Sequence, residues 1–404
     1  MPPESLRVAM VGTRGVPARY GGFETAVEEI GARLADRGHA VRVYCRAAPG
    51  AQGSGAAATP PATPPVTPST AYRGMELVTL PAMRRRSLET LSHTALSVAH
   101  LVRHRTDVAF VFNAANAPLL PAVRAARIPV ATHVDGLEWR RAKWGPVGQR
   151  YYRAAETAAV RLSDALIADA QGIADYYRDE YAAESRLIAY GAPVLTTAGH
   201  DRLAELDLEP GGYHLVVARF EPENHVDMIV EGYVGSDGAL PLVVVGSAPY
   251  AHEHTRRIES LAAGDPRVRL LGGVWDQELL DQLYAGALTY LHGHSVGGTN
   301  PSLLRAIGGG TATIAYDVGF NREVLGTHGR YFRTAADVGA RVHEAEQDPE
   351  GCELRGKALA ERARAYDWDD VADGYERLAR DLAAGSTPGP KRFARRLGAE
   401  QWAR

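Results

Sequence analysis

Cysteine is almost missing from this 404-residue chain, which has two, Cys45 and Cys352. So far apart, they make neither a disulfide framework nor a zinc-ligand spacing. An excess of charge of either sign is missing too. The 45 Lys and Arg against 48 Asp and Glu leave a formal net charge of -3, and 45% of residues are hydrophobic. That balance excludes a disordered chain and a strongly basic nucleic-acid binder. No apolar run is long enough to span a bilayer. The start, MPPESLRVAMVG, lacks the regions of a signal peptide, so a cytoplasmic protein with no nucleic-acid partner is expected.

What the chain does have is alternation. Short apolar runs such as RVAMVG (7–12), AVRVYC (40–45), MELVTL (75–80), DVAFVF (107–112), IPVATHV (128–134), DALIADA (164–170) and SRLIAY (185–190) are separated by amphipathic segments. After residue 212 the pattern restarts with YHLVVARF, LPLVVVGS, RVRLLGG, ALTYLHG and TATIAYD. Alternating strand and helix means parallel sheets covered on both faces. The expected architecture is α/β, with two doubly wound Rossmann-like domains facing each other across a cleft.

The boundaries follow from composition. A first domain is expected over 1–194, with a flexible Pro/Ala/Thr-rich insertion at 47–71. A hinge over 195–212 leads to a second domain at 213–365, a further helical stretch at 366–384 and a loose basic tail at 385–404.

In open parallel sheets, ligands sit beyond the carboxyl ends of the strands. The first such loop, VGTRGVPARYGGFET, lacks the G-x-G-x-x-G spacing of a dinucleotide fold. Its Gly21 and Gly22 precede a helix whose amides and dipole favour an anion, although a plain turn would look the same. In the second, HGHSVGGTNPSLLRAI, Asn300 reads as N-cap and Pro301 as the first helical residue. Gly297, Gly298 and Thr299 then offer amides at the positive helix end, where a diphosphate is well placed. Arg219, ending the first strand of the second domain, can fork onto phosphate oxygens or pair with Glu221 or Glu223.

RGVPARYGGFET, DGLEWRRAKWG, RFEPEN, HGHSVGGTNPSLL and FNREV together resemble motifs of the retaining glycosyltransferases of family 4. The resemblance is to the rhamnosyltransferase-like branch, group 1 enzymes with a DUF1972-type first domain, and spans about residues 5–380. It implies the GT-B fold, with 366–384 as a closing helix that returns to the first domain, a nucleoside-diphosphate sugar as donor, and neither metal nor other cofactor. Gly21 and Gly22 would approach the donor phosphates from one domain, and Arg219 and the Gly297–Thr299 amides from the other. Asn224 stands where the family commonly has a lysine. Gly297 and Arg305 stand where it has two glutamates that contact the donor sugar and ribose. Arg305 either restores the charge missing at Asn224, or points away toward a carboxylate such as Asp317, or marks lost catalysis.

For the acceptor side, the residues alone offer His133 and Asp135 at a strand end, and His133 reads better as a packed histidine. The resemblance favours Asp135, with Glu138 and Trp139, and Glu24 opens the first helix nearby. Asp135 can steady positive charge on the sugar and take the acceptor proton, with Arg219 steadying the leaving diphosphate. His294 is placed to bond donor phosphate or sugar. The pairs His252/His254 and His292/His294 lack partners at metal-ligand spacing. Asp317, Asn321, Arg322 and Glu323 either read sugar hydroxyls or hold their loop. Arg84, Arg85 and Arg86 precede an amphipathic helix suited to peripheral membrane contact, which fits a lipid-linked acceptor.

The expectation is transfer of a sugar, with L-rhamnose the first candidate, to a cell-envelope polysaccharide or lipid-linked acceptor. Its rivals are another donor with a small-molecule acceptor, and a non-catalytic nucleotide-sugar binder.

Overall fold

The structure is a computed structural model and describes residues 4–18, 21–47, 70–83, 89–134, 136–141, 144–195, 198–246 and 252–387. Asp135, Arg84, Arg85, Arg86, nearly all of the 47–71 insertion and the end of the basic tail lie outside the described residues. Strands β1 (Arg7–Val11), β2 (Ala40–Arg46), β3 (Ala71–Tyr72), β4 (Met75–Leu80), β5 (Val108–Phe112), β6 (Val130–Val134), β7 (Ala165–Ala168) and β8 (Arg186–Leu187) make the first sheet. Their order is β3-β4-β2-β1-β5-β6-β7-β8, parallel except for the two-residue β3. The second sheet joins β9 (His214–Val217), β10 (Leu242–Val245), β11 (Val268–Gly272), β12 (Thr289–His292), β13 (Ala312–Tyr316) and β14 (Arg330–Phe332). It is ordered β11-β10-β9-β12-β13-β14 and is parallel throughout.

Every residue of β5, β6, β10 and β12 is buried, which is why these strands read as unbroken apolar or Thr/His runs rather than alternating ones. The two short strands that the sequence pattern did not announce, β3 and β14, lie at sheet edges. In each sheet the order reverses at one point, between β1 and β5 in the first and between β9 and β12 in the second. The loops after these four strands therefore frame the crevices in which a ligand belongs.

The expected hinge is largely packed structure among its described residues. Asp201–Leu206 forms a turn of 3-10 helix, with Leu203 and Leu208 buried. Arg202 is held by Asp276, and its amide donates to Gln282 Oε1 at 2.9 Å, so this stretch belongs to the second domain.

The helix Trp368–Ala383 packs against the first helix of the first domain. Arg33 and Arg37 of the first helix, Gly22–Asp36, pair with Asp369, Asp373 and Glu376 on it. Tyr375 packs edge-on against Phe110. One apolar cluster runs from Met10 and Phe112 through Tyr190 and Tyr375 to Leu303 and Ile307, so the domains share a core. Among the described residues no helix is long and apolar enough to cross a membrane.

Candidate active site

The second domain builds its side of the cleft from its two switch-point loops. After β9 the chain reaches Arg219, whose Nη1 lies 3.3 Å from Glu221 Oε1 and whose side chain is about half exposed. Asn224 ties this loop to the next. Its Nδ2 donates to the Arg219 carbonyl at 2.8 Å, and its Oδ1 faces His294 Nδ1 at 2.9 Å. An Asn oxygen can only accept, so Nδ1 carries the imidazole proton and Nε2 keeps its lone pair. Burial, reinforced by Arg141, His292, Arg219 and His225, pushes His294 well below the usual histidine range and keeps it neutral.

Gly297 then has no alternative. Its φ is +134°, and a side chain would place Cβ 2.9 Å from His294 Nε2. The glutamate that the resemblance leads one to expect here is excluded by backbone and imidazole together. Asn300 caps the helix Pro301–Gly308 by accepting from the Ser302 amide at 2.9 Å, with Pro301 at its first position. Three residues, Asn224, His294 and Gly297, thus act as one unit.

Arg305 lies one turn further along this helix. Its guanidinium is ion-paired to Asp281 of the helix Gln277–Gly286, with both side chains about one-fifth exposed. Asp317 is not the partner, because it holds Arg322 and Arg333 instead. Arg322 and Glu323 likewise serve contacts within the protein. The Gln171 amide donates to Glu323 Oε1 at 2.8 Å from the other domain. Asn321 Nδ2 donates to the carbonyls of His294 and Tyr316 at 3.0 and 2.8 Å.

The first domain meets this surface closely. Gly22 faces Pro301, where an added Cβ would lie 3.2 Å from Cγ. Gly21, at φ +115°, precedes the first helix, and Glu24 Oε1 accepts from the Arg14 amide at 3.0 Å, folding the loop back on the helix. Gly136 lies so near the backbone of Gly297 that a Cβ would overlap it. Behind these contacts stands an aromatic wall. Phe23 packs edge-on against Phe112 and His133. His133 shares a 2.7 Å hydrogen bond with Tyr375, and burial pushes its pKa down to about 3.

Glu138 is buried and pairs with Arg141 Nε at 2.5 Å. Trp139 lies under Arg153, whose guanidinium sits 4.0 Å from the ring centroid. Arg141, which sequence reasoning passed over inside DGLEWRRAKWG, reaches across the cleft to Glu223 Oε1 at 3.1 Å. Asp169 was passed over as well. It follows β7, and its carboxylate is buried against Gly298, where an added Cβ would overlap Oδ1. Thr299 Oγ1 donates to the Asp169 carbonyl at 2.7 Å. An acid directly after an apolar strand was the available signal. Among the described residues no three His, Cys, Asp or Glu come together in a way that could hold a metal.

The fold has counterparts among solved structures. A sucrose-phosphate synthase from Thermosynechococcus elongatus superposes with a TM-score of 0.78 at 22% identity, covering 94% of this chain and 99% of that one. The fold is GT-B. Anabaena HepE, solved with UDP-glucose, gives 0.71 at 15% identity over 93% and 99% of the two chains. A trehalose 6-phosphate synthase from Burkholderia multivorans gives 0.69 at 13% over 95% and 100%. Residues 128–193 match the family described as a domain of unknown function, DUF1972. No curated protein matches the chain. The DUF1972 segment carries Gly136 and Asp169, which lie against Gly297 and Gly298, as well as Glu138 and Arg141.

Proposed function

We propose that the chain is a retaining glycosyltransferase that takes a sugar from a nucleoside diphosphate bound between its two domains. One observation carries this reading. Both switch-point loops of the second domain meet at a single place, where Arg219 and the Gly297–Thr299 amides at the start of an eight-residue helix surround a neutral imidazole. HepE, of the same fold, was solved with UDP-glucose, which supports a sugar nucleotide as the ligand class.

Departure of the diphosphate needs positive charge at the leaving oxygens. The reading assigns that work to Arg219 and the loop amides rather than to a metal. Glu221 now neutralises Arg219 and would give way to phosphate, whose oxygens match the guanidinium fork. Asp135 is proposed on the acceptor side, between the end of β6 and the buried Glu138. Arg305, held by Asp281, is left out of the donor set.

The motifs make L-rhamnose the first donor sugar to try and a cell-envelope or lipid-linked saccharide the first acceptor. Exposed Ala95, Leu96, Ala99 and Val102 on the helix Glu89–Arg103 follow the three arginines at 84–86 and support contact with a membrane face.

Calorimetric titration with dTDP, UDP and GDP tests the donor class, and turnover of the matching sugar nucleotide tests catalysis. One diphosphate is expected to bind, and Arg219→Ala to weaken it at least tenfold, since a charge-assisted fork contributes about 1.5–3 kcal/mol. If no diphosphate bound, the reading would fail at its centre. Binding without turnover would favour the non-catalytic binder.

A further inference from the structure

Asp169 belongs to the first domain, yet its carboxylate lies against the diphosphate loop of the second. It is buried to 4% exposure, and its Oδ1 has no hydrogen-bond partner. It rests over Gly298, while the Thr299 hydroxyl fixes its backbone. An orphaned, buried carboxylate oxygen beside amides aimed at an anion is an unusual arrangement. Ionised, it would repel the very ligand those amides attract. Protonated, it would be one more donor among them.

Resting on the functional reading above, we propose that Asp169 is a donor-binding residue. It takes up a proton from solvent as the nucleotide sugar binds, and donates it in a hydrogen bond from its unpartnered oxygen to a phosphate oxygen at the Gly297–Thr299 loop. Apart from this carboxyl O–H bond no covalent bond is made or broken, and the proton returns to solvent when the diphosphate leaves.

The surroundings favour this uptake. Burial pushes Asp169 up to about 7, and the nearby Glu323 carboxylate pushes the same way. Tyr375 faces it from the closing helix, and burial together with Asp169 raises that phenol well above its usual value, so it stays neutral. His133, His292 and His294 are all held below the usual histidine range by burial and do not compete for the proton near neutrality. A bound diphosphate adds negative charge next to Asp169 and strengthens its hold on the proton. Asp169 also supplies a donor on a surface where Asn224 provides no cation and Arg305 is already paired.

The test is titration of the full chain with UDP-glucose, dTDP-glucose and GDP-mannose, whose phosphates do not themselves titrate near neutrality, over roughly pH 5.5–8.5 and in buffers of different ionisation heat. Wild type is expected to take up close to one proton per donor above pH 7 and to lose affinity by up to about tenfold per pH unit there. Asp169→Asn keeps a donor without the titration, so its affinity should stay near the acid-limit value of wild type, with no proton uptake. Asp169→Ala should be equally flat but weaker. An Asp169→Asn profile with the same slope and uptake as wild type would overturn the proposal. So would a wild type that binds donor with no proton uptake anywhere in the range, whatever the variants do. If none of the three sugar nucleotides bound wild type at any pH, the functional reading itself would fall, and the proposal with it.

Discussion

The two sides of the cleft are built from different materials. On the first-domain side Phe23, Phe112, His133, Tyr190 and Tyr375 pack ring against ring, and His133 is a neutral spacer bonded to Tyr375. On the second-domain side Arg219, Glu221, Glu223, Asn224 and His294 form a hydrogen-bonded and ionic layer over β9 and β12. Aromatic packing is indifferent to which anion arrives, whereas the polar layer has donors and charges to exchange. The difference teaches that the groups able to exchange hydrogen bonds and charge lie mostly in the second domain, while the first supplies a shaped wall plus two polar groups, Arg141 and Asp169. Rigidity on one side makes the placement of those two groups definite.

The comparison can be broken most forcefully where the sides touch through glycine. Gly136→Ala drives a methyl group into the Gly297 backbone, which cannot swing aside as a side chain could. At about 3 kcal/mol, the upper range for overpacking, transfer by the variant should fall roughly 100-fold, and its radius of gyration in small-angle scattering should rise. An unchanged rate and radius would remove this contact from the account of closure.

Arg305→Glu is the next largest. It would set two carboxylates together at the Asp281 position and lower stability by about 2 kcal/mol in denaturant unfolding. Asp281→Arg added to it should recover most of the loss while diphosphate affinity stays put throughout. A change in affinity instead would return Arg305 to the donor site.

The smallest effect sharpens the aromatic side. Tyr375→Phe removes the hydrogen bond to His133 and should lower stability by about 1 kcal/mol without moving the Kd of the diphosphate. A shift in that Kd would show that the wall is more than packing.

Much of the fold could be read beforehand because it depends on local pattern. Apolar runs of strand length, separated by helical periodicity, are properties of neighbouring residues, and so are the cap at Asn300 and the loops after β1 and β12. The short edge strands β3 and β14 carried too few residues to show a period. The placement of the candidate loops was legible where one segment made it, as at Gly297–Thr299 after β12 and Arg219 after β9. It was opaque where two distant segments met. Asp169 gains its character from Gly298, and Arg141 from Glu223, across the cleft. Arg305 was expected to pair, if at all, with Asp317, which is nearer in sequence, yet the neighbouring helix brought Asp281 to it. Composition cannot show which of several carboxylates a folded arginine will reach.

The return of the last helix to the first domain has a consequence for how the protein is made. The strands of that domain are complete by Leu187, but Phe110, Ile188 and Gly191 pack against Tyr375, Gly374 and Trp368 of the last helix. A nascent chain leaving the ribosome must therefore carry a bare apolar patch while nearly two hundred further residues are synthesised. Deleting the stretch after residue 365 would make that exposure permanent and turn a domain's interior into a sticky surface.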